Sequence, residues 1–120
     1  MTGTTIPTPA VPDRRVPRRQ GTVLVVDDDE GIRSLFLDLF RPEGVPIRVV
    51  GSGQEALSMV KQTVPALLII DVLLPGEDGI AVLEEAQLIN SRMMAVVMSG
   101  AASVELAVRA LHTAYGLDAA

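Results

Sequence analysis

The sequence predicts an α/β fold: three layers, α/β/α, around a parallel sheet with strand order 2-1-3-4. Three observations carry this. Short unbroken apolar runs recur at residues 23–26, 66–70 and 94–98, the pattern of strands buried on both faces. Stretches with helical apolar spacing lie between them. Each run also ends in polar residues: Asp27-Asp28-Asp29, Asp71, and Ser99-Gly100. In open α/β sheets, chemistry collects past the carboxyl ends of the strands.

Taken in order, Thr22-Val23-Leu24-Val25-Val26 is the first strand. Ile32, Leu35, Phe36, Leu39 and Phe40 then fall on one helical stripe, which Pro42 and Gly44 stop. Asp29 and Glu30 suit the positive N-terminus of that helix. Residues 45–50 form the second strand, and Arg48 within it marks an edge. Gly51-Ser52-Gly53 turns the chain into a helix over about residues 54–62, and Pro65 resets it for the Asp71 strand. A third helix fits residues 79–89. The last strand, residues 94–98, reads as buried, with Met93, Met94 and Met98 as core filling. Ser103 then caps a final helix carrying Val104, Ala107, Val108 and Leu111 on one stripe. Strands alternating with helices imply parallel pairing, and right-handed crossovers leave few topologies.

The 120 residues suit one domain, and 48% apolar content suits a folded core. The chain has no cysteine, so it has no disulfide or thiolate metal site. No apolar run reaches the ~20 residues of a membrane span. Residues 1–20 hold four prolines and four arginines and read as a disordered tail. A twin-arginine export signal is disfavoured because Asp27-Asp28-Asp29-Glu30 interrupts the apolar segment that should follow. The rest, residues 21–120, carries a net charge of about -8, so direct nucleic-acid binding by it is not expected. The expected compartment is cytoplasmic, and no membrane partner is expected.

The strand order brings Asp27, Asp28 and Asp71 to one crevice, with Ser99 on the neighbouring strand. Packed carboxylates repel, so a proton or a cation must compensate. A hard divalent ion such as Mg²⁺ suits an all-oxygen site that also takes phosphate oxygens. One carboxylate then serves as nucleophile toward a phosphoryl group, and Ser99 can donate to a phosphoryl oxygen.

Four pieces, Val23-Leu24-Val25-Val26-Asp27-Asp28, Ile69-Ile70-Asp71, Leu74-Pro75-Gly76-Glu77-Asp78-Gly79 and Val96-Val97-Met98-Ser99-Gly100, occur in the order seen in response regulator receiver domains. Over residues 21 to about 115 the chain resembles that family of two-component signalling proteins, with its flavodoxin-like fold. The resemblance implies that Asp71 is the phosphoacceptor. It implies that Asp27 and Asp28 hold Mg²⁺, one directly and one through water, joined by Asp71 and the Leu73 backbone carbonyl. Ser99 matches the hydroxyl that turns toward the phosphoryl group and switches a surface near the last helix. A sensor histidine kinase or phosphotransfer protein is the implied donor, and an output domain or partner protein the implied receiver. The protein would not be a turnover enzyme. Leu73 and Ala101, two residues past Asp71 and Ser99, cannot orient an attacking water, so slow self-hydrolysis is expected.

The chain departs from the family pattern after the last helix. The family expects a lysine and an aromatic switch residue on a fifth strand. The only lysine here is Lys61, in the second helix, and Tyr115 lies early for the aromatic. The domain thus reads as C-terminally incomplete, lacking the fifth strand and last helix. Residues 95–98 should then form a bare apolar edge, and one sheet face should lose half its helical cover.

Three rival readings have specific sequence support. Gly51-Ser52-Gly53-Gln54-Glu55-Ala56 mimics a dinucleotide fingerprint, although Glu55 would occupy the pyrophosphate position. Asp27 and Asp29 mimic the nucleophile and acid of haloacid dehalogenase-type phosphohydrolases. The missing lysine supports a phosphorylation-independent pseudo-receiver that acts as an interaction module. His112 reads as a surface residue on the polar side of the last helix.

Overall fold

The computed structural model of the protein describes residues 21–117; the proposed Arg/Pro-rich tail over 1–20 lies outside them. The elements are β1 (Val23–Val26), α1 (Glu30–Phe40), a 3-10 turn (Arg41–Glu43), β2 (Ile47–Val50), α2 (Gly53–Thr63), β3 (Leu67–Asp71), α3 (Gly79–Ile89), β4 (Met94–Met98) and α4 (Ala101–Ala114). All pairings are parallel, in order β2-β1-β3-β4. This is the expected 2-1-3-4 sheet.

β1 and β3 are central and almost wholly buried, as their unbroken apolar runs require. Alternation then sorts side chains between two cores. Val23, Val25, Leu67 and Ile69 face Phe36 and Phe40 of α1. Leu24, Val26, Leu68 and Ile70 face Ala56 and Val60 of α2 and Val82 and Ala86 of α3.

The last helix departs from expectation. Val104, Ala107 and Leu111 of α4 join the α1 core, so each face carries two helices and neither loses half its cover. Among the described residues no strand follows α4. Crossover handedness therefore does not choose its face, and burial of its apolar stripe against Ile69 and Met98 does. His112 is correspondingly not a plain surface residue: it packs edge-on against Phe40, with ring centroids 5.2 Å apart. Tyr115 donates its hydroxyl hydrogen to the Gly21 carbonyl, at the end of the sheet opposite Asp71.

Strand β4 is an edge rather than a buried strand. Met93 and Met98 are core residues, but Met94 is 49% exposed and Val97 42%. The edge position, shown among the described residues, was foreseen; the burial of all three methionines was not borne out. The α1 stripe is also narrower than predicted, since Leu35 and Leu39 are exposed while Phe36 and Phe40 are buried. Ser103 does not stand at the N-cap. Gly100 does, and α4 begins at Ala101. Ser103 Oγ instead accepts from Ser99 N–H at 2.6 Å and donates to Gly100 C=O, closing the first turn from inside.

Val64 ends α2 in the left-handed conformation, with φ +46°. A β-branched residue is strained there, and Val64 is 58% exposed, so its side chain loses little when removed. Val64→Asn is therefore expected to raise the melting temperature by a few degrees, on the order of 1 kcal/mol. An unchanged or lower melting temperature by circular dichroism would show that the site is unstrained.

Candidate functional site

Three strand ends build the site. Parallel register sets Val26 beside Ile70 and Asp71 beside Met98, so the residues after β1, β3 and β4 emerge at one edge. Asp27 N–H donates to Val50 C=O and Val72 N–H to Met98 C=O, which extends the ladder to the site itself. One carboxylate oxygen from each of Asp27, Asp28 and Asp71 lies within 4.8 Å of the others. The cleft around them, about 240 Å³, is also lined by Ile32, Met98 and Val104.

The three acids differ in environment. Asp27 is only 4% exposed and is the one buried charged residue among the described residues. Burial pushes its carboxyl above the usual carboxylate range, and the charges of Asp71, Asp28 and Asp29 add to that. The Asp29 N–H, donating to Asp27 Oδ1 at 2.9 Å, pulls the other way. Asp28 is exposed and Asp71 half-buried. Asp71 Oδ1 accepts from Leu73 N–H at 2.8 Å, a turn that folds the Leu73 backbone back beside Asp71. Ser99 stands exposed at the rim, between Met98 and Gly100, which both line the cleft.

Asp29, the nearest other acid in sequence, has a different job. Its Oδ1 accepts from Gly31 and Ile32 N–H and caps α1. This occupies the carboxylate that a dehalogenase-type acid would need. The dinucleotide reading fails at the start of α2. Ser52 Oγ accepts from Glu55 N–H, Glu55 Oε1 from Gly51 N–H, and Glu77 Oε1 from Gly53 N–H. Two carboxylates already fill the place a pyrophosphate would take.

Two supports were not legible beforehand. Arg33 Nη1 donates to the Asp27 backbone carbonyl at 2.8 Å, tying α1 to the end of β1. Glu77 clamps the loop after β3 onto α2 across 24 residues. Only the helical position of Arg33, one turn after Asp29, hinted at the first, and no local pattern signals the second. Lys61 sits in the last turn of α2, at the far end of the helix from the site.

The family model for the response regulator receiver domain matches residues 23–117. The chain is 37% identical over 91 residues to the transcriptional regulatory protein ZraR of Escherichia coli, covering 76% of this chain and 21% of that protein. It is 31% identical over 84 residues to sporulation initiation phosphotransferase F of Bacillus subtilis, covering 70% and 68%. It thus spans about a fifth of the length of the ZraR proteins it matches. Among solved structures, the receiver domain of the Francisella response regulator 1452 aligns with TM-score 0.61 at 28% identity, covering 78% of each chain. The CheY-like receiver domain protein of Methanospirillum hungatei aligns with TM-score 0.65 at 26% identity, covering 80% of this chain and 77% of that one. With this sheet order, an acidic cluster at these strand ends and that family match, the chain belongs to the response regulator receiver domains of two-component signalling.

Proposed function

We propose that Asp71 accepts a phosphoryl group from the phosphohistidine of a sensor kinase or phosphotransfer protein. The observation that carries this reading is the convergence of Asp27, Asp28 and Asp71 within 4.8 Å. A carboxylate oxygen of Asp71 attacks phosphorus; the new O–P bond forms as the N–P bond breaks, and its electron pair returns to the imidazole, which takes up a proton.

The donor set fits Mg²⁺: all its ligands are oxygens, and Asp27, buried with its carboxyl pushed upward, needs a positive charge beside it. Asp27, Asp28, Asp71 and the Leu73 carbonyl would hold the ion. When bound, it would offset the negative charge that gathers on the transferring group. The chain's own residues do the rest. β3 fixes Asp71, the Leu73 N–H orients one of its oxygens, and the exposed Ser99 is free to swing toward a phosphoryl oxygen. Ser99 is joined to α4 through Ser103, so its movement would pull the first turn of that helix and alter the surface a partner or output domain reads. The role is regulatory rather than that of a turnover enzyme. No described helix is long and apolar enough to cross a membrane.

Incubation with Mg²⁺ and acetyl phosphate, read by intact mass, is expected to add one phosphoryl group, and Asp71→Asn to abolish the gain. The adduct should persist well beyond seconds, because the side chain of Leu73, two residues past Asp71, has no polar atom to orient water. A lifetime of seconds would contradict that. One observation favours a second reading: no lysine stands near the site among the described residues. No adduct on a demonstrably folded chain would assign the protein to phosphorylation-independent interaction modules.

A further inference from the structure

The outer edge of β2, unpaired among the described residues, lies at the floor of an open groove of about 490 Å³. Leu37 and Arg41 wall it on the α1 side, and Arg48 and Met59 on the α2 side. Pro46 and Val50 C=O accept from β1. Alternation along the strand therefore turns the N–H and C=O groups of Ile47 and Val49 outward into the groove. Among the described residues the floor is an unpaired strand, the walls are apolar, and each wall carries one guanidinium.

The charge is what selects an occupant. Residues 21–117 carry thirteen acids against six bases, yet two of those six flank this groove and no acidic side chain lines it among the described residues. A basic or neutral strand gains nothing from Arg41 and Arg48, and a second β2 would bring its own Arg48 into the same groove.

We propose that this groove docks an extended acidic segment of a partner protein, added to the sheet as a strand beside β2. The two arginines lie on opposite faces of the sheet: Arg41 follows α1, whereas Arg48 alternates with Ile47 and Val49, which face the α1 core. Side chains of an added strand alternate between the same faces. The segment therefore carries its two carboxylates an odd number of positions apart, with apolar residues between them against Leu37 and Met59. The site is separate from Asp71 and does not depend on its phosphorylation.

The test uses the full chain and a fluorescein-labelled peptide, Val-Glu-Val-Val-Glu-Val, with blocked ends. Saturable binding is expected, weakened about tenfold by Arg41→Glu or Arg48→Glu and by 0.5 M salt, a loss of about 1.4 kcal/mol. The peptide Val-Glu-Val-Glu-Val-Val, with both carboxylates on one face, should bind several-fold less tightly. Amide shifts should centre on Ile47 and Val49. Circular dichroism checks that both variants fold, and Arg48→Ala serves if a reversal does not. Equal binding of a Lys-for-Glu peptide, unchanged affinity in both variants, shifts confined to β4, or no binding by the folded chain would each overturn the proposal. So would self-association that protects the β2 amides, which would give the groove to a second copy.

Discussion

Gly79→Ala is expected to destabilise the fold by about 3 kcal/mol, a large share of a domain's stability. Gly79 opens α3 directly beneath the end of β3. A Cβ there would lie 2.5 Å from the Asp71 carbonyl oxygen and 2.5 Å from Val72 Cα. Both are backbone atoms, so no side chain can swing aside. Either α3 moves away from the Val82 and Ala86 contacts that anchor it, or the end of β3 shifts and takes Asp71 with it. Overpacking of this kind costs about 3 kcal/mol or more, against about 5–15 kcal/mol for a whole domain. Gly76→Ala is the matched comparison. Gly76 has φ +69° but nothing within 4 Å of its missing Cβ, so only the left-handed backbone penalty of about 1 kcal/mol applies. Urea unfolding of the two variants should separate them clearly; equal losses would mean that the α3–β3 approach is not as close as described.

Asp27→Asn should stabilise the metal-free protein and abolish its response to Mg²⁺. Asn keeps an oxygen for the Asp29 N–H and removes a buried charge that faces Asp28 and Asp71. The pH dependence follows from the direction of the shift. The folded-state pKa of Asp27 lies above its ordinary value of 3.8. Between the two values the folded chain binds more protons than the unfolded one, so stability falls as pH rises through that window. At neutral pH the penalty is fully present. Metal-free wild-type protein should therefore melt a few degrees below Asp27→Asn at pH 7, with the gap closing as the pH is lowered toward the carboxylate range. Mg²⁺ should raise the melting temperature of the wild type and leave the variant nearly unmoved. A gap that widens on acidification would show that Asp27 is stabilised, not strained, by its surroundings.

Much of the site was legible because its determinants are local. An unbroken β-branched run needs no partner to be read as a buried strand, and a carboxylate at its end needs only the strand order to find its neighbours. Asp27, Asp28 and Asp71 could therefore be brought together from the strand order, and the structure places them together. At the α2 start, Ser52 and Glu55 three residues later form a capping pattern, and both side chains bond there to backbone N–H groups.

Failures cluster where a residue's environment depends on packing between distant elements. Apolar periodicity says that one face of α4 is buried, but not against which side of the sheet. His112 was misread for that reason, since only the docking of α4 beside Phe40 gives it an aromatic neighbour. Met94 was misread because an apolar strand at an edge has the same composition as one at the centre. The Glu77–Gly53 clamp joins the loop after β3 to the start of α2 across 24 residues and has no pattern of its own.

The sequence by itself determined the sheet, its order and the acids at its carboxyl end, because alternation, apolar runs and strand-end carboxylates are written along a single strand. The tertiary structure alone decided which face α4 covers, how deeply Asp27 is buried, and which edge carries a groove flanked by Arg41 and Arg48. Each of these depends on which surfaces are left for water once the helices have docked, and no local stretch of chain encodes that.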